Sequence, residues 1–305
     1  MLTCGLVVLN YKDYETTIEL LNNIKDFREI DYIAVVDNMS PNNSYEILKA
    51  YENEKIHVMK SDRNGGYSYG NNYGARYLIE NFHPDIIGIA NPDVIFGEDL
   101  VKRVKEVFAE RDEYAVLTGI QHNVSGEAVV NFHNDESTPL AFLKPLMYEN
   151  FMRPLHIMKP KKEKIMLEKI ISNSEAVNQV WEVEGCLFFI RTSDFVNIGM
   201  FDDNVFLYYE EHILAFKLQK LGRKTGIIND VTYIHAHAVN PDRIEQLESG
   251  MRFIRNSTAS RKYYFNNYVT KNKLLHGIHN FLLWFRWLKS YAGYSFQKIM
   301  IQFIK

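Results

Sequence analysis

Glu210 and Glu211 stand side by side behind the aromatic run Phe206-Leu207-Tyr208-Tyr209. Like charges and apolar walls raise a carboxylate pKa toward the range in which it works as a general base. The same pair at a helix start also serves simply to favour the helix dipole. Asp93 ends the triplet Asn91-Pro92-Asp93. A carboxylate beside Pro-fixed backbone suits a divalent cation that neutralises a diphosphate, and such triplets also make plain turns. Asp37 heads Asp37-Asn38-Met39-Ser40-Pro41. There it accepts hydrogen bonds from a base N–H or a ribose hydroxyl, or opens the next helix as an Asx turn. The glycines of Asn64-Gly65-Gly66-Tyr67-Ser68-Tyr69-Gly70-Asn71-Asn72 allow close backbone approach to a phosphate, or pack a helix on a sheet. G-x-G-x-x-G does not occur. His235 and His237 follow an apolar run, where a His is a ligand or a satisfied structural residue.

These residues act together only if the chain brings their loops to one edge. Short apolar, β-branched runs at 5–9, 33–36, 56–59, 86–90 and 115–119 predict strands. Helical patterns lie between them at 14–25, 44–51, 68–81 and 99–110, with Ser44 as an expected N-cap. Alternation at this spacing predicts a mostly parallel α/β sheet with helices on both faces, whose ligands bind beyond the carboxyl ends of the strands. Residues 121–180 lose the alternation and contain Pro139, Pro145, Pro154 and Pro160, with a lysine-rich helix expected over 161–171. An insert of that size reads as a lid or acceptor-side wall. Strands are expected again at 185–190 and 231–235, and helices at 192–198 and 209–221.

The 305 residues are 46% hydrophobic and 24% charged, with a net charge of −3. That excludes wholesale disorder, collagen-like repeats and a multi-span membrane protein. Two cysteines, Cys4 and Cys186, are too few for a disulfide framework or a Cys-based zinc site and read as reduced core thiols. The small net charge conceals a split. Residues 249–305 hold ten Lys/Arg and no Asp or Glu, leaving residues 1–248 with 25 basic and 38 acidic side chains, a net of −13. The acidic body disfavours nucleic acid as a partner. No basic leader opens the chain, and the uncharged run 274–285 falls short of the ~20 residues that span a bilayer, so a cytoplasmic protein is expected. Trp284, Trp287, Phe281, Phe285, Tyr291, Tyr294 and Phe296, interleaved with Arg286, Lys289 and Lys298, describe an interfacial anchor on anionic lipid. The alternative is packing on the body or a homodimer seam.

In order and spacing, Val35–Ser40, Asn64–Tyr67, Gly70–Gly74, Asn91–Asp93, Gly199–Asp202 and Phe206–Glu211 resemble glycosyltransferase family 2, nearest its bacterial rhamnosyltransferase-like branch. The resemblance covers about residues 3–240. It implies a GT-A fold, an inverting transfer from a nucleotide-sugar donor, and a divalent cation, Mn²⁺ or Mg²⁺. The catalytic domain is then 1–248, with a donor-binding half at 1–120 and an acceptor-side half at 121–248, followed by a helical extension at 249–305. By the same resemblance Glu211 is the catalytic base, with Glu210 beside it. Tyr11, Asp37, Asn38, Asn64, Gly65, Gly66, Asn71, Asn91 and Asp93 bind the donor, and Asp93 and His235 hold the metal. Asn91 stands where the family's D-x-D motif has its first Asp, which weakens one ligand. Ile213 stands where many relatives carry a further Asp. The implied reaction moves L-rhamnose to a glycan or lipid-linked acceptor in bacterial surface polysaccharide synthesis, at the inner face of the cell membrane. A uridine-diphosphate-hexose transferase is the neighbouring alternative, and a non-catalytic scaffold, suggested by Asn91 and Ile213, is the more distant one.

Overall fold

The computed structural model describes residues 2–133, 137–152, 162–236 and 243–304. Pro154, Pro160, residue 161 of the expected lysine-rich helix, and His237 lie outside the described residues. Four parallel strands open the fold: β1 (Cys4–Asn10), β2 (Tyr32–Asp37), β3 (Ile56–Lys60) and β4 (Ile86–Ala90). They are nearly continuous Val/Ile/Leu runs, as strands buried on both faces must be. Short β5 (Val94–Phe96) follows β4, and β6 (Tyr114–His122) follows a helix. β7 (Phe132–His133) and β9 (Glu182–Val183) pair separately as a two-stranded ribbon. β8 (Val177–Val180), β10 (Leu187–Arg191) and β11 (Lys224–His235) complete a nine-stranded sheet in the order β3-β2-β1-β4-β10-β6-β11-β5, with β8 on β11.

The strand that shapes the site is β10. It runs antiparallel between β4 and β6, so its amino end lies at the edge where β1, β2, β4, β6 and β11 place their carboxyl ends. Residues 184–186 therefore meet 91–93, and the Asn91 N–H donates to the Cys186 carbonyl at 2.8 Å. β11 is also longer than the expected 231–235, beginning at Lys224, because Lys224–Gly226 continues the pairing with β6. The division expected at 120/121 falls inside β6.

Helices cover both faces. α1 (Tyr14–Ile24), α2 (Ser44–Lys49) and α4 (Glu98–Glu110) bury Leu20, Leu21, Leu48, Leu100 and Val104 on one side. α3 (Gly66–Phe82), α6 (Lys162–Ser172), α7 (Thr192–Asn197) and α8 (Glu210–Lys220) bury Leu78, Ile170, Phe195 and Leu214 on the other. Asp13 caps α1 through its side chain, accepting from Thr16 N–H at 3.2 Å. Ser44 is not the cap of α2. It is the first helical residue, its N–H and hydroxyl both donating to Asn42 Oδ1, which holds the turn before it.

A third core lies at the end of the chain. α5 (Pro139–Met147), α9 (Arg243–Tyr264), α10 (Lys273–Ile304) and a π-helical turn at Phe265–Val269 enclose Phe142, Leu146, Tyr264, Phe265, Leu282 and Leu283 against Val205 and Ile213 of the body. The extension thus packs on the α/β body. Arg286 pairs with Glu149 at 3.2 Å, and Lys289 donates to the carbonyls of Glu149 and Asn150. Two of the three basic residues expected to face lipid are therefore spent on anchoring α10. Among the described residues no helix is long and apolar enough to cross a membrane.

Candidate active site

The first two loops are stitched together by buried polar groups. Asp37, fully buried, accepts from Asn10 Nδ2 at 2.8 Å and from Ser40 N–H at 3.0 Å. Asn38 donates to the Gly66 carbonyl at 3.0 Å and to Asn64 Oδ1 at 3.2 Å, and accepts from Ser61. Asp37 and Asn38 consequently brace the loops from beneath. The exposed surface here is formed by Tyr11, 44% accessible, and Met39, 47% accessible. Lys12 and Met39 both hold left-handed backbone, with φ of 70° and 55°, a conformation costing about 1–3 kcal/mol in non-glycine residues and retained where the surroundings impose it.

The glycine loop touches the turn at 206–209 directly. Tyr67 N–H donates to the Phe206 carbonyl at 2.9 Å, and Gly66, at φ +85°, lies so close that a Cβ would stand 1.9 Å from the same oxygen. Asn72 clasps the Phe201 backbone with both amide atoms, at 2.9 and 3.1 Å. Asn71 is buried and donates to the Tyr67 carbonyl within the first turn of α3. Gly65 makes no side-chain contact, but a Cβ there would overlap the Tyr69 side chain. Tyr208 and Tyr209 are consecutive left-handed residues, φ 72° and 69°, at the entry to α8. That kink swings Glu210 and Glu211 out of the aromatic run into the first turn of the helix.

Glu211 Oε1 accepts from Gly185 N–H at 3.0 Å, and the Tyr67 hydroxyl donates to the Gly185 carbonyl beside it. A Cβ at residue 185 would stand 2.3 Å from Oε1, so only glycine lets the carboxylate rest on this backbone. Burial is the main cause that pushes Glu211 up to about 7, with Glu182 and Glu184 adding to it against the stabilising backbone hydrogen bond. Glu210 is more deeply buried, and burial together with Glu211 raises it well above the carboxylate range. Glu182 is buried too, pushed up to about 8 chiefly by burial, with His212 Nδ1 at 3.0 Å. Of Glu182, Glu210 and Glu211, Glu211 is the one not fully buried, and it is the one pushed up to about 7.

On the other side of the cleft, Asp93 Oδ2 lies 3.3 Å from His235 Nε2, and Ala236 N–H donates to the Asp93 carbonyl at 2.8 Å. The pairing of His235 with Val94 in β11–β5 fixes that proximity. Asn91 sits one strand-end away, held through its backbone to Cys186. Donor atoms of Glu184, Cys186 and His235 lie within 4.8 Å of one another. Carboxylate and imidazole donors converging at the carboxyl edge fit a divalent cation.

A profile of the family described as Glycosyl transferase family 2 matches residues 6–170, more than half of the chain. The chain belongs to glycosyl transferase family 2. Among curated proteins it is 25% identical over 279 residues to the low-salt glycan biosynthesis hexosyltransferase Agl10 of Haloferax volcanii, covering 90% of this chain and 82% of that protein. It is 26% identical over 180 residues to rhamnosyltransferase WbbL of Escherichia coli K12, covering 57% of this chain and 62% of WbbL. Its fold is shared with GalNAc-T7 solved with UDP, GalNAc and Mn²⁺, at a TM-score of 0.58 and 14% identity over 92% of this chain and 55% of the other. It is shared likewise with mannosyltransferase PcManGT of Pyrobaculum calidifontis in complex with GDP-Man and Mn²⁺, at 0.56 and 14%, over 96% and 75%. This chain thus spans little more than half of GalNAc-T7.

The α/β, GT-A expectation agrees with these family 2 relationships. The structure brings Gly66 against the Phe206 carbonyl of the turn that leads to Glu210 and Glu211, with Asn64 accepting from Gly66 N–H and Asn71 donating to Tyr67 behind it, and brings Asp93 against His235. It buries Asp37 and Asn38 beneath the loops, leaving Tyr11 and Met39 exposed on that side. Sequence reading missed Tyr67 and Gly185, which position Glu211, and Glu182 and Glu184, which crowd it. The run Glu182-Val183-Glu184-Gly185-Cys186 carried a signal, two alternating carboxylates before a glycine, but an expected plain strand over 185–190 obscured it. Ile213 is fully buried in the third core with Phe142 and Leu282. At the position where many family members have a carboxylate, this chain puts an apolar contact with its own extension.

Proposed function

We propose that this family 2 protein is an inverting glycosyltransferase that moves a hexose, L-rhamnose in the first instance, from a nucleoside diphosphate to a hydroxyl of a glycan or lipid-linked acceptor in surface polysaccharide assembly. The observation that carries this reading is Glu211. Its carboxylate, fixed on Gly185 N–H and titrating near neutrality, stands where the donor loop at 64–67 meets the turn at 206–209. Glu211 accepts the proton of the acceptor hydroxyl as its oxygen attacks the anomeric carbon from the face opposite the diphosphate. A single displacement of that geometry inverts the centre. Asp93 and His235 would hold a divalent cation, Mn²⁺ or Mg²⁺, which would supply positive charge beside a departing diphosphate. Tyr11 and Met39 supply an apolar face for the base; Asn64, Gly65, Gly66, Asn71 and Asn91 line the donor side, with Asp37 and Asn38 positioning it from below. Glu210, more deeply buried and raised by burial and by the Glu211 charge, supports its neighbour rather than meeting the acceptor.

The rhamnosyl assignment draws on the WbbL relationship and the hexosyl class on Agl10. The exposed apolar side chains of α10, among basic residues of the extension, support a position at an anionic membrane surface on the cytoplasmic side. The test is transfer from dTDP-rhamnose and from uridine-diphosphate hexoses, with Glu211→Gln as control. Glu211→Gln should lose roughly 10²–10⁴-fold in kcat while still being stabilised against heat by the donor. Undiminished turnover in Glu211→Gln refutes the base assignment. Absence of any nucleotide-dependent thermal shift in the wild type refutes the transferase reading and leaves the scaffold.

A further inference from the structure

We propose that Glu184 and Cys186 join Asp93 and His235 in holding the divalent cation, making the centre a mixed carboxylate, imidazole and thiolate site. The inference rests on the transferase reading for the purpose of the cation, but not for its ligands. Those follow from the sheet. Because β10 runs antiparallel, the residues before it arrive at the ligand edge, and the Asn91–Cys186 backbone hydrogen bond fixes 184–186 opposite 91–93. β11 delivers His235 to the same place, 3.3 Å from Asp93. One donor atom each from Glu184, Cys186 and His235 then falls within a 4.8 Å circle. Ligands bound at about 2.0–2.3 Å stand roughly 3–4.5 Å apart, so small side-chain rotations close the set.

The donor chemistry has a reason to depart from two aspartates. Asn91 contributes a neutral amide where a carboxylate would give charge, and Glu184 restores that charge from the neighbouring strand. Cys186 adds a soft donor, which favours Zn²⁺ or Co²⁺ over Mg²⁺. Its sulfur is not in a bland apolar setting. The Tyr233 hydroxyl lies 3.3 Å away and is itself held by Gln121 Oε1 at 3.0 Å and Asn131 Nδ2 at 3.2 Å. Cys186, Gln121, Asn131 and Tyr233 are all buried. Such a backing network orients a ligand, and the Tyr233 hydroxyl, by turning its one proton from Gln121 Oε1 to the sulfur, supplies a hydrogen bond to the thiolate that forms when cation binding releases the thiol proton to water. A core thiol donating weakly to Gln121, 3.4 Å away, is the competing account.

Cobalt titration of the full chain separates the two. The wild type should bind Co²⁺ with a near-ultraviolet thiolate-to-cobalt charge-transfer band. Cys186→Ser should abolish the band, and Glu184→Gln should keep it while binding Co²⁺ about tenfold or more weakly. Both variants are close in size to the native residue, and circular dichroism with a melting curve checks the fold. Should Cys186→Ser fail to fold, the wild-type band and the Glu184→Gln affinity still decide. A wild type that binds Co²⁺ without the band overturns the sulfur ligand, and unchanged affinity in Glu184→Gln overturns the carboxylate. Transfer with Mn²⁺ measured in parallel distinguishes the failures. An active enzyme lacking the band loses only this ligand set, whereas nucleotide binding lost altogether removes the reading beneath it.

Discussion

Glu211 is touched by Gly185 and crowded by Glu182 and Glu184. Burial raises the carboxyls of both Glu210 and Glu211, Glu210 the further because the Glu211 charge adds to it. The Gly185 N–H gives the charged form a hydrogen bond, and the balance lies at about 7. The base must be ionised to accept a proton, so kcat/KM should rise with pH through about 7 and fall roughly tenfold per unit below it. A pH–rate profile of the wild type checks this, and a flat profile between pH 5 and 8 contradicts it. Gly185→Ala tests the positioning separately. Its Cβ would meet the mobile end of Glu211, 2.3 Å away, and the Tyr67 hydroxyl, 2.9 Å away. The side chains can yield while the backbone stays, so kcat should drop by ~10²-fold with the melting temperature nearly unchanged. A large loss of stability with intact kcat would show that the glycine serves folding alone.

At the scale of elements, the strands, helices and loop order were readable because buried parallel strands are uninterrupted apolar runs and amphipathic helices repeat every three to four residues. Val94–Phe96 and Val177–Val180 escaped notice because three- and four-residue edge strands have too few positions to show a period. The direction of β10 was also hidden. An antiparallel insertion leaves no mark on a strand's own sequence, yet it decides that 184–186 belong to the site. The loops carrying the expected donor-side residues were legible, but the burial of Asp37 depends on Asn10 and Ser40 converging on its carboxylate, which no spacing reveals. The joint between body and extension was likewise invisible. Asp202 accepts from the hydroxyls of Tyr263 and Tyr268 and from Asn204. Burial opposes its charge, but those donors hold Asp202 below the usual carboxylate value. A depressed carboxylate contributes stability above its unfolded pKa of about 3.9 and loses it as pH falls through the folded value. Tyr268→Phe should therefore cost about 1.5–3 kcal/mol at neutral pH, and its deficit should narrow below about pH 4. Urea denaturation at pH 7 and pH 3 measures both; an equal deficit at the two pH values contradicts the charged hydrogen bond.

At the scale of the whole molecule, the −13 body and the acid-free extension form one packed structure, with the boundary sealed by Phe142, Phe265, Leu282 and Leu283. Each such side chain contributes about 1.5–3 kcal/mol by its burial, so removal of residues 270–305 destabilises the fold and says nothing clean about membranes. The outward face of α10 is a separate matter. Leu274, Ile278, Phe281, Trp284, Leu288 and Phe296 remain exposed there, Phe296 at 65% and Phe281 at 57%. Arg252, Arg255, Lys262, Lys271, Lys273 and Lys298 are exposed along the same extension, while Arg286 and Lys289 are committed to the body. An apolar stripe of that length on a helix that cannot span, among unopposed basic residues, matches the chemistry of an anionic bilayer surface. Phe281→Ser, Trp284→Ser and Phe296→Ser combined remove the stripe and leave the buried side untouched. Sedimentation with vesicles should show the wild type bound to phosphatidylglycerol-containing bilayers, more weakly in high salt, and the triple variant at least tenfold less bound at an unchanged melting temperature. If the wild type ignores anionic vesicles and instead sediments as a dimer that the same substitutions dissociate, the stripe belongs to a second copy of the chain and the membrane assignment falls.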